Sequence, residues 1–396
     1  MDFRMGEKSD EFAKEVAAFL DEHLTEEVVM EAHETGTVHN WGFYKAMADA
    51  GYTRAAWPKE FGGQERDPFE MAALSDQLNL RHAPTDGSSV TLMICSTLRH
   101  VGTPEQQADI IPRGLNGEIL ICLGYSEPDS GSDAAAAATR ADRDGDEWVI
   151  NGQKMFTTLA HEADYVFMLT RTNHDVPKHK GLTMFLVPMD AEGIEIQPVH
   201  TMGGERTNIT FYNDVKVPDA LRVGDVDAGW GVMRVALTFE RGGSMMGQSV
   251  RLVRLVEEWA KENLAPNGRP WIEDPLVRER LARANMLNNA GALLGLRSAD
   301  LFNRGELPGV EGSMSKLFSS EKFLAICEDL VDMLGPEGVL QHGEDDAPSA
   351  GWVEHAMRHA VVTTIYGGTS EIQRGIIAEH GLGLPRTRKS ERARKS

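Results

Sequence analysis

The stretch 147-EWVINGQKMF-156 decides the fold. Trp148, Val149, Ile150, Met155 and Phe156 suit a pleated, half-buried surface, and Asn151-Gly152 interrupts the run as a bulge or turn would. Four more runs of this kind follow: 164-DYVFMLTRT-172, 182-LTMFLVPM-189, 194-IEIQPV-199 and 209-ITFYNDVKVP-218. Gly, Asn, Asp and Pro separate them. Residues 121–228 therefore read as a compact all-β module, a barrel or a sandwich.

On either side the period changes. Phe12, Val16, Phe19 and Leu20 repeat at helical spacing, as do Phe43 and Met47. Two helix starts are marked by a cap, a proline and a reaching side chain: Asp67-Pro68-Phe69-Glu70 and Thr103-Pro104-Glu105-Gln106. Helical periodicity returns at Gly229, and 230-WGVMRVALTFERGGSMMGQSVRLVRLVEEWAKEN-263 reads as a long helix despite its paired glycines. The expected order is a helical domain over 1–120, the β module over 121–228, a helical domain over 229–384 and a basic, mobile tail over 385–396.

Composition narrows the function. A chain of 396 residues with 41% hydrophobic content can fill several cores. A net charge of −21 argues against nucleic acid as a partner. Cys95, Cys122 and Cys327 are far apart, without metal-ligand spacing, and read as buried free thiols in a reducing compartment. No run reaches the length of a membrane span, and 1-MDFRMGEKSDEF-12 lacks the apolar core of an export signal. The expectation is a cytoplasmic protein. The pairs His33/His39 and His355/His359 come with no convincing carboxylate set, so they read as surface histidines rather than metal ligands.

Near the end lies 365-IYGGTSEIQR-374, in which two glycines bare their N–H groups before a Thr-capped helix. The turn is either a helix start alone or a place where a ligand approaches the main chain. It offers no side chain that could do chemistry at Gly367 or Gly368.

Four separated stretches, 125-YSEPDSGSD-133, 144-DGDEWVINGQKMFTT-158, 211-FYNDVKVP-218 and 365-IYGGTSEIQR-374, stand in the order found in the flavin-dependent acyl-CoA dehydrogenases, which this chain resembles over nearly its whole length. The resemblance implies an α+β architecture: an N-terminal helical domain, a middle β-barrel domain and a C-terminal four-helix bundle. It implies FAD as cofactor and α,β-desaturation of an acyl-CoA thioester, with an electron-transferring flavoprotein as acceptor. Such chemistry takes a base for the α-proton, a hydride acceptor and donors on the thioester carbonyl. By the resemblance, Ser126 meets the flavin pyrimidine edge, Ser132 the pyrophosphate, Phe156 the ring face, Thr158 the N5 region and Thr369 the diphosphate region. Read without it, these are a polar turn, a strand residue of the core and a helix cap.

Many members carry their general base where this chain has Gly367. On the helix 237-LTFERGG-243, Glu240 shares a face with Met233, Ala236, Leu237, Gly243 and Ser244, all apolar or small. Desolvation on such a face raises a carboxyl pKa toward neutrality, which suits a base acting on carbon. Glu240 matches the position of the base in members that take branched acyl chains, directly before the family's frequent arginine, here Arg241. The plain alternative is a solvated Glu240 paired with Arg241 or Arg234. Gly367 then leaves space, with its N–H and that of Gly368 turned to the thioester beside Arg241, and the expected substrate is branched or bulky, of steroid side-chain type.

The second departure concerns the adenosine end of the cofactor, which a neighbouring subunit holds in the family. The stretch 259-WAKENLAPNGRPW-271 lacks the family's Arg and Phe-Gly, and in 332-DMLGPEGV-339 Asp332 and Pro336 replace Gln and Gly. An Asp there repels a diphosphate. The expectation is a heterotetramer with a homologous acyl-CoA dehydrogenase-like subunit that supplies those loops. Two rival expectations stand beside it: a non-catalytic structural subunit, and a flavin oxidase or monooxygenase.

Overall fold

The computed structural model describes residues 5–240 and 246–385, with Glu240 as backbone only. The first third is helical: α1 (Glu7–His23), α2 (Glu26–Thr35), α3 (Trp41–Asp49), α4 (Pro68–Leu80), α5 (Asp86–Val101) and α6 (Pro104–Leu115). Both expected capping boxes form. The Asp67 side chain accepts the N–H groups of Phe69 and Glu70, and Thr103 accepts that of Gln106, with Glu70 and Gln106 reaching back. Phe12, Val16 and Leu20 of α1 are buried with Phe43, Met47 and Leu74.

Eight strands follow: β1 (Ile121–Gly124), β2 (Arg140–Asp144), β3 (Glu147–Met155), β4 (Tyr165–Arg171), β5 (Leu182–Pro188), β6 (Ile194–His200), β7 (Arg206–Pro218) and β8 (Arg222–Val223). They form one sheet in the order β6-β7-β3-β2-β4-β5-β8, with β1 parallel to β4. The five expected strands are present. The three unforeseen ones give little signal: β1 and β8 are short, and β2 reads Arg-Ala-Asp-Arg-Asp with only Ala141 buried. The ladder slips between Ile150 and Gly152, where the Asn-Gly interruption stands.

Strands β4 and β5 are buried on both faces, successive side chains turning to opposite sides of the sheet. Val166, Met168, Phe185 and Val187 join Trp148, Ile150 and Tyr212 on one side. Phe167, Leu169, Met184 and Leu186 turn the other way, onto α5, α6 and α7 (Gly229–Glu240). The last third comprises α8 (Met246–Glu262), α9 (Pro275–Asn303), α10 (Val310–Leu334), α11 (Trp352–Thr363) and α12 (Ser370–Ile376). Helices α8 to α11 form the four-helix bundle around Val256, Leu281, Phe323, Leu330 and Val353. The long helix expected over 230–263 is described as α7 and α8, since residues 241–245 lie outside the described residues, as do 386–396 of the expected tail. No helix among the described residues is long and apolar enough to cross a membrane.

Candidate active site

The loop after β1 is held to the sheet by groups that satisfy one another. Lys154, fully buried on β3, donates to Glu127 Oε1 at 2.7 Å and to the Leu169 carbonyl at 2.6 Å. Glu127 also accepts the N–H groups of Ala138 at 2.7 Å and Thr139 at 2.9 Å. Burial pushes the Glu127 carboxyl up, but Lys154 and the two amides more than offset this and hold it below its ordinary value. Arg171 braces the far end of the loop through the carbonyls of Ala135, Ala137 and Lys178. A buried ion pair is stable only when its remaining donors and acceptors are filled, and here they are.

This anchoring brings Ser126 and Phe156 together, because Met155 N–H donates to the Ser126 carbonyl at 2.9 Å. Phe156 has φ 60° and is 58% exposed. A bulky residue in the left-handed region with its ring open to solvent is strained twice over, in backbone and in surface. A flat ligand laid on that ring would cover the surface. Thr158 is exposed beside it, its hydroxyl 3.1 Å from that of Thr207. Ser132 lies exposed on the same loop, next to Gly131, whose surroundings are open. Ser126, Phe156, Thr158 and Ser132 thus share the loop-and-strand-end surface that Glu127 and Lys154 order, with an exposed aromatic face and hydroxyls a flat, phosphorylated ligand could meet.

The second part is the turn between α11 and α12. Gly367 and Gly368 both have positive φ, 63° and 87°, which requires glycine or exacts strain. The Gln373 amide donates to both carbonyls, at 2.9 Å from Gly367 and 3.4 Å from Gly368, and so fixes the turn. Among the described residues the N–H groups of Gly367 and Gly368 have no acceptor. Thr369 caps α12, its hydroxyl accepting from Ile372 N–H at 3.3 Å. The plain reading of Thr369 is therefore present in the fold.

The third part is α7. Met233 and Ala236 are buried, and Leu237 packs against the same cluster. One turn further on, the backbone of Glu240 ends the helix on that face. The Glu240 side chain, Arg241, Gly243 and Ser244 lie outside the described residues.

Beside Tyr366 a chamber of about 110 Å³ opens between all three domains. His33, His82, Asp86, Glu205, Arg251, Trp352, His355 and His359 line it, the inventory on which its chemistry depends. This corrects the expectation of surface histidines: His33, His355 and His359 face the chamber, and His39 is buried at 5% exposure. Helical spacing on α11 carried His355 and His359 inward, because the apolar residues of α11 (Val353, Ala360) flank them. Burial pushes His82 down to about 3 and His355 down to about 4, so both imidazoles are neutral. His359 differs. Burial lowers it, but Glu205 at 2.5 Å more than reverses this, and Glu205 is held down to about 2. Among the described residues no cluster could hold a metal ion.

The two stretches expected to have lost the adenosine end are closed on their own chain. In the loop after α8, Ala265 N–H donates to the Arg269 carbonyl and Trp259 stacks on Trp271 with centroids 6.3 Å apart. Asp332 pairs with Arg280 of α9 at 2.8 Å.

Sequence reading missed Glu127, Lys154, Arg171, His82 and Arg251. For Lys154 a signal existed: it stands an even number of residues from Trp148 and Ile150, so strand alternation points it inward. Arg251 and His82 carried none, since an isolated Arg or His on a helix or at its end is ordinary.

A helical–β–helical chain with an open aromatic platform on its sheet and a bare glycine turn before its last helix has the make-up of a flavoprotein dehydrogenase. Residues 6–118, 122–215 and 227–382 match the N-terminal, middle and C-terminal domains of acyl-CoA dehydrogenases. The chain belongs to the acyl-CoA dehydrogenase family of FAD flavoproteins and is an oxidoreductase that dehydrogenates acyl-CoA. Acyl-CoA dehydrogenase FadE26 of Mycobacterium tuberculosis is 36% identical over 348 residues, 86% of either chain. Acyl-CoA dehydrogenase IpdE1 of the same organism is 38% identical over 353 residues, 87% of either chain. Among solved structures, the Tcur3481-Tcur3483 steroid ACAD has TM-score 0.90 at 34% identity, covering 98% of this chain and 100% of that one. The ChsE4-ChsE5 complex from Mycobacterium tuberculosis has TM-score 0.90 at 33% identity, with the same coverage of 98% and 100%.

Proposed function

We propose that the chain desaturates a branched or bulky acyl-CoA thioester at Cα–Cβ, with Glu240 as the base. The observation that carries this reading is the Gly367-Gly368 turn. Its carbonyls are tied to Gln373, while its N–H groups have no acceptor among the described residues. Two N–H groups fixed in this way can hold a thioester carbonyl and stabilise the charge that builds on its oxygen as the α-proton leaves. Gly367 itself brings no base, so the proton must go elsewhere. Glu240 is the last residue of α7, one turn beyond the buried Met233 and Ala236, and a base acting on carbon at this place needs a carboxyl pKa near neutrality. Arg241 accompanies it at the substrate. Bound FAD supplies the acceptor for the β-hydride at its N5. Ser126, Phe156, Thr158 and Ser132 hold and orient the ring and phosphates, Thr369 stands toward the diphosphate, and an electron-transferring flavoprotein takes the electrons onward.

The substrate is of steroid side-chain type, in keeping with the missing side chain at Gly367 and with the steroid ACAD among the similar structures. Replacing Glu240 by Gln keeps the shape and removes the base. The expected result is a fall in kcat of about 10²- to 10⁴-fold with bound flavin retained. A variant that keeps its kcat would overturn the assignment.

The adenosine end of FAD is held by a homologous subunit in a heterotetramer. Asp332, whose carboxylate repels a diphosphate, and the 259–271 loop, which folds onto itself through Ala265 and Arg269 main chain, support this. Expression alone and with a co-encoded homologue, followed by the flavin-to-protein ratio, tests it. Full loading of the chain alone would sink this part of the proposal.

A further inference from the structure

The aromatic platform and the glycine turn belong to different domains. Phe156 and Thr158 follow β3, whereas Gly367 and Gly368 follow α11. Reacting groups held from two domains stay aligned only if the domains are fixed on each other, and a misplacement of about 1 Å can cost about 10²-fold in rate.

Both sides lead within a few residues to one joint. Thr157 N–H donates to the Asn208 carbonyl at 2.9 Å, the Asn208 amide donates back to the Thr157 carbonyl at 3.0 Å, and the hydroxyls of Thr158 and Thr207 lie 3.1 Å apart. The platform is thus fastened to the start of β7, directly after the β6–β7 turn that carries Glu205. On the other side, Tyr366 N–H donates to the Val362 carbonyl at 3.2 Å and Ser370 N–H to the Thr364 carbonyl at 3.0 Å, so the glycine turn is an extension of α11. His359 stands on α11, its ring centroid 6.4 Å from that of Tyr366. His359 Nδ1 meets Glu205 Oε1 at 2.5 Å and closes the path between the two sides.

The turn is shaped around this contact. The second carboxylate oxygen of Glu205 accepts from the Thr201 hydroxyl at 3.2 Å, and Thr201 N–H donates to the Glu205 carbonyl at 3.0 Å. Arg358 donates to the Met202 carbonyl at 2.8 Å and spends its other donors on Glu354. Arg206 N–H donates to the Gly36 carbonyl at 2.9 Å. Of these ties only Glu205–His359 joins two ionisable side chains across domains, and both are largely buried. A charge-assisted hydrogen bond is about twice as strong as a neutral one.

Glu205 and Asp86 of α5 favour the charged imidazolium and more than offset burial, so His359 stays protonated above its ordinary range. The other groups around it are Arg358 and His355 on α11, His82 ahead of α5, His33 on α2 and Arg251 on α8, while α10 presents Phe323. The imidazoles of His355, His82 and His33 are pushed down and neutral.

We propose that Glu205 and His359 are positioning residues for the dehydrogenation, a charged clasp that holds the thioester-binding turn in register with the flavin platform. The inference rests on the desaturase reading for what the turn and the platform hold. Because the clasp is strongest with a protonated imidazole, turnover weakens as the pH rises through the raised His359 value.

The test follows flavin reduction by saturating decalin-propanoyl-CoA in the flavin-loaded enzyme with its partner subunit, from pH 6 to 10. Glu205→Gln and His359→Ala should each slow reduction about 10- to 100-fold, with flavin content unchanged and thioester affinity within about threefold. His359→Asn keeps a donor near the place of Nδ1 but does not titrate. It should recover part of the rate and lose the alkaline fall seen in the parent. Should His359→Ala fail to fold, Glu205→Gln alone carries the rate comparison. Parent-like rates in the broken variants, a loss that falls equally on flavin content and affinity, or an alkaline fall that persists in His359→Asn overturns the proposal. If the parent's flavin is not reduced by the thioester, the desaturase reading fails. Hydrogen exchange at the amides of Ile365, Tyr366 and Ser370 then decides the clasp: faster exchange in Glu205→Gln upholds it, and unchanged exchange overturns it.

Discussion

Lys154 and Arg251 are both cations withdrawn from solvent, and the protein treats them in opposite ways. Lys154 is closed in by Glu127 and a strand carbonyl, and Glu127 by two backbone amides, so every strong group in that network is filled from within the chain. Among the described residues Arg251 meets the face of Trp352 and has no hydrogen-bond partner, and it opens onto the same chamber as the packed rings of His82 and His355. The first arrangement makes a rigid platform, because a saturated buried network has one low-energy geometry. The second keeps its hydrogen bonds in reserve. A polar group left unmet inside a fold costs stability that only an incoming partner restores. The contrast separates the part of the molecule that positions from the part that recognises.

The largest effect should come from breaking the platform. Lys154→Met fits the space but strands the Glu127 carboxylate in the interior, and leaving a buried charge unpaired costs about 3–5 kcal/mol. Glu127 also orders the loop carrying Ser126 and Ser132, so flavin content should fall with stability. Thermal unfolding and the flavin-to-protein ratio of the complex read both. A variant as stable as the parent, with full flavin, would show that the pair is not what holds the loop.

The chamber can be probed by protons instead. His82 and His355 have folded pKa values pushed down to about 3 and about 4, while unfolded histidines titrate near 6.5. Between pH 6.5 and 4.5 the unfolded chain takes up protons that the folded one refuses, so stability falls as the pH falls, by about 1.4 kcal/mol per unit for each such group. His33 and His39 add in the same direction. The His359–Glu205 pair works against the fall near pH 6.5: Glu205 holds His359 above its ordinary value, so that stabilisation is fully present below 6.5 and lost as the pH rises, and Glu205, held to about 2, keeps its contribution until the unfolded carboxyl protonates near 4.5. Asp86, with a raised carboxyl pKa, opposes the trend from the carboxylate range upward. The melting temperature should therefore drop from pH 6.5 to 5, and less steeply in His355→Gln. A flat profile would mean that these imidazoles are not closed off.

Most of the architecture was legible because it rests on period and punctuation. The β-rich run 164-DYVFMLTRT-172, bounded by turn residues, and the two capping boxes need no tertiary knowledge. Of the site, the platform loop and the glycine turn could be read from short local patterns. The chamber could not, because His33, His82, Asp86, Glu205, Arg251 and His355 come from separate elements that meet only after three domains pack. Their identity as a group is a property of the fold. The histidine pairs show the cost: taken two at a time along the sequence they looked superficial, and in space they face inward.

The smallest effect lies at the glycine turn next to the chamber. Gly368 has φ 87°, and a methyl group there would stand 2.7 Å from Gln373 Nε2. Gly368→Ala therefore does two things. It places Ala in the left-handed region, at about 1–2 kcal/mol, and it displaces the Gln373 amide from the Gly367 carbonyl. The amide ends a flexible side chain, so it can move aside and the fold should survive. What is lost is the fixed aim of the Gly367 N–H. If that N–H holds the thioester oxygen, kcat/KM should drop about tenfold with flavin content unchanged, since loosening one carbonyl donor is worth about 1.4 kcal/mol at most. If the turn is only a helix start, the same substitution lowers the melting temperature and leaves turnover alone. Measuring both quantities on one variant tells recognition from scaffolding at this turn.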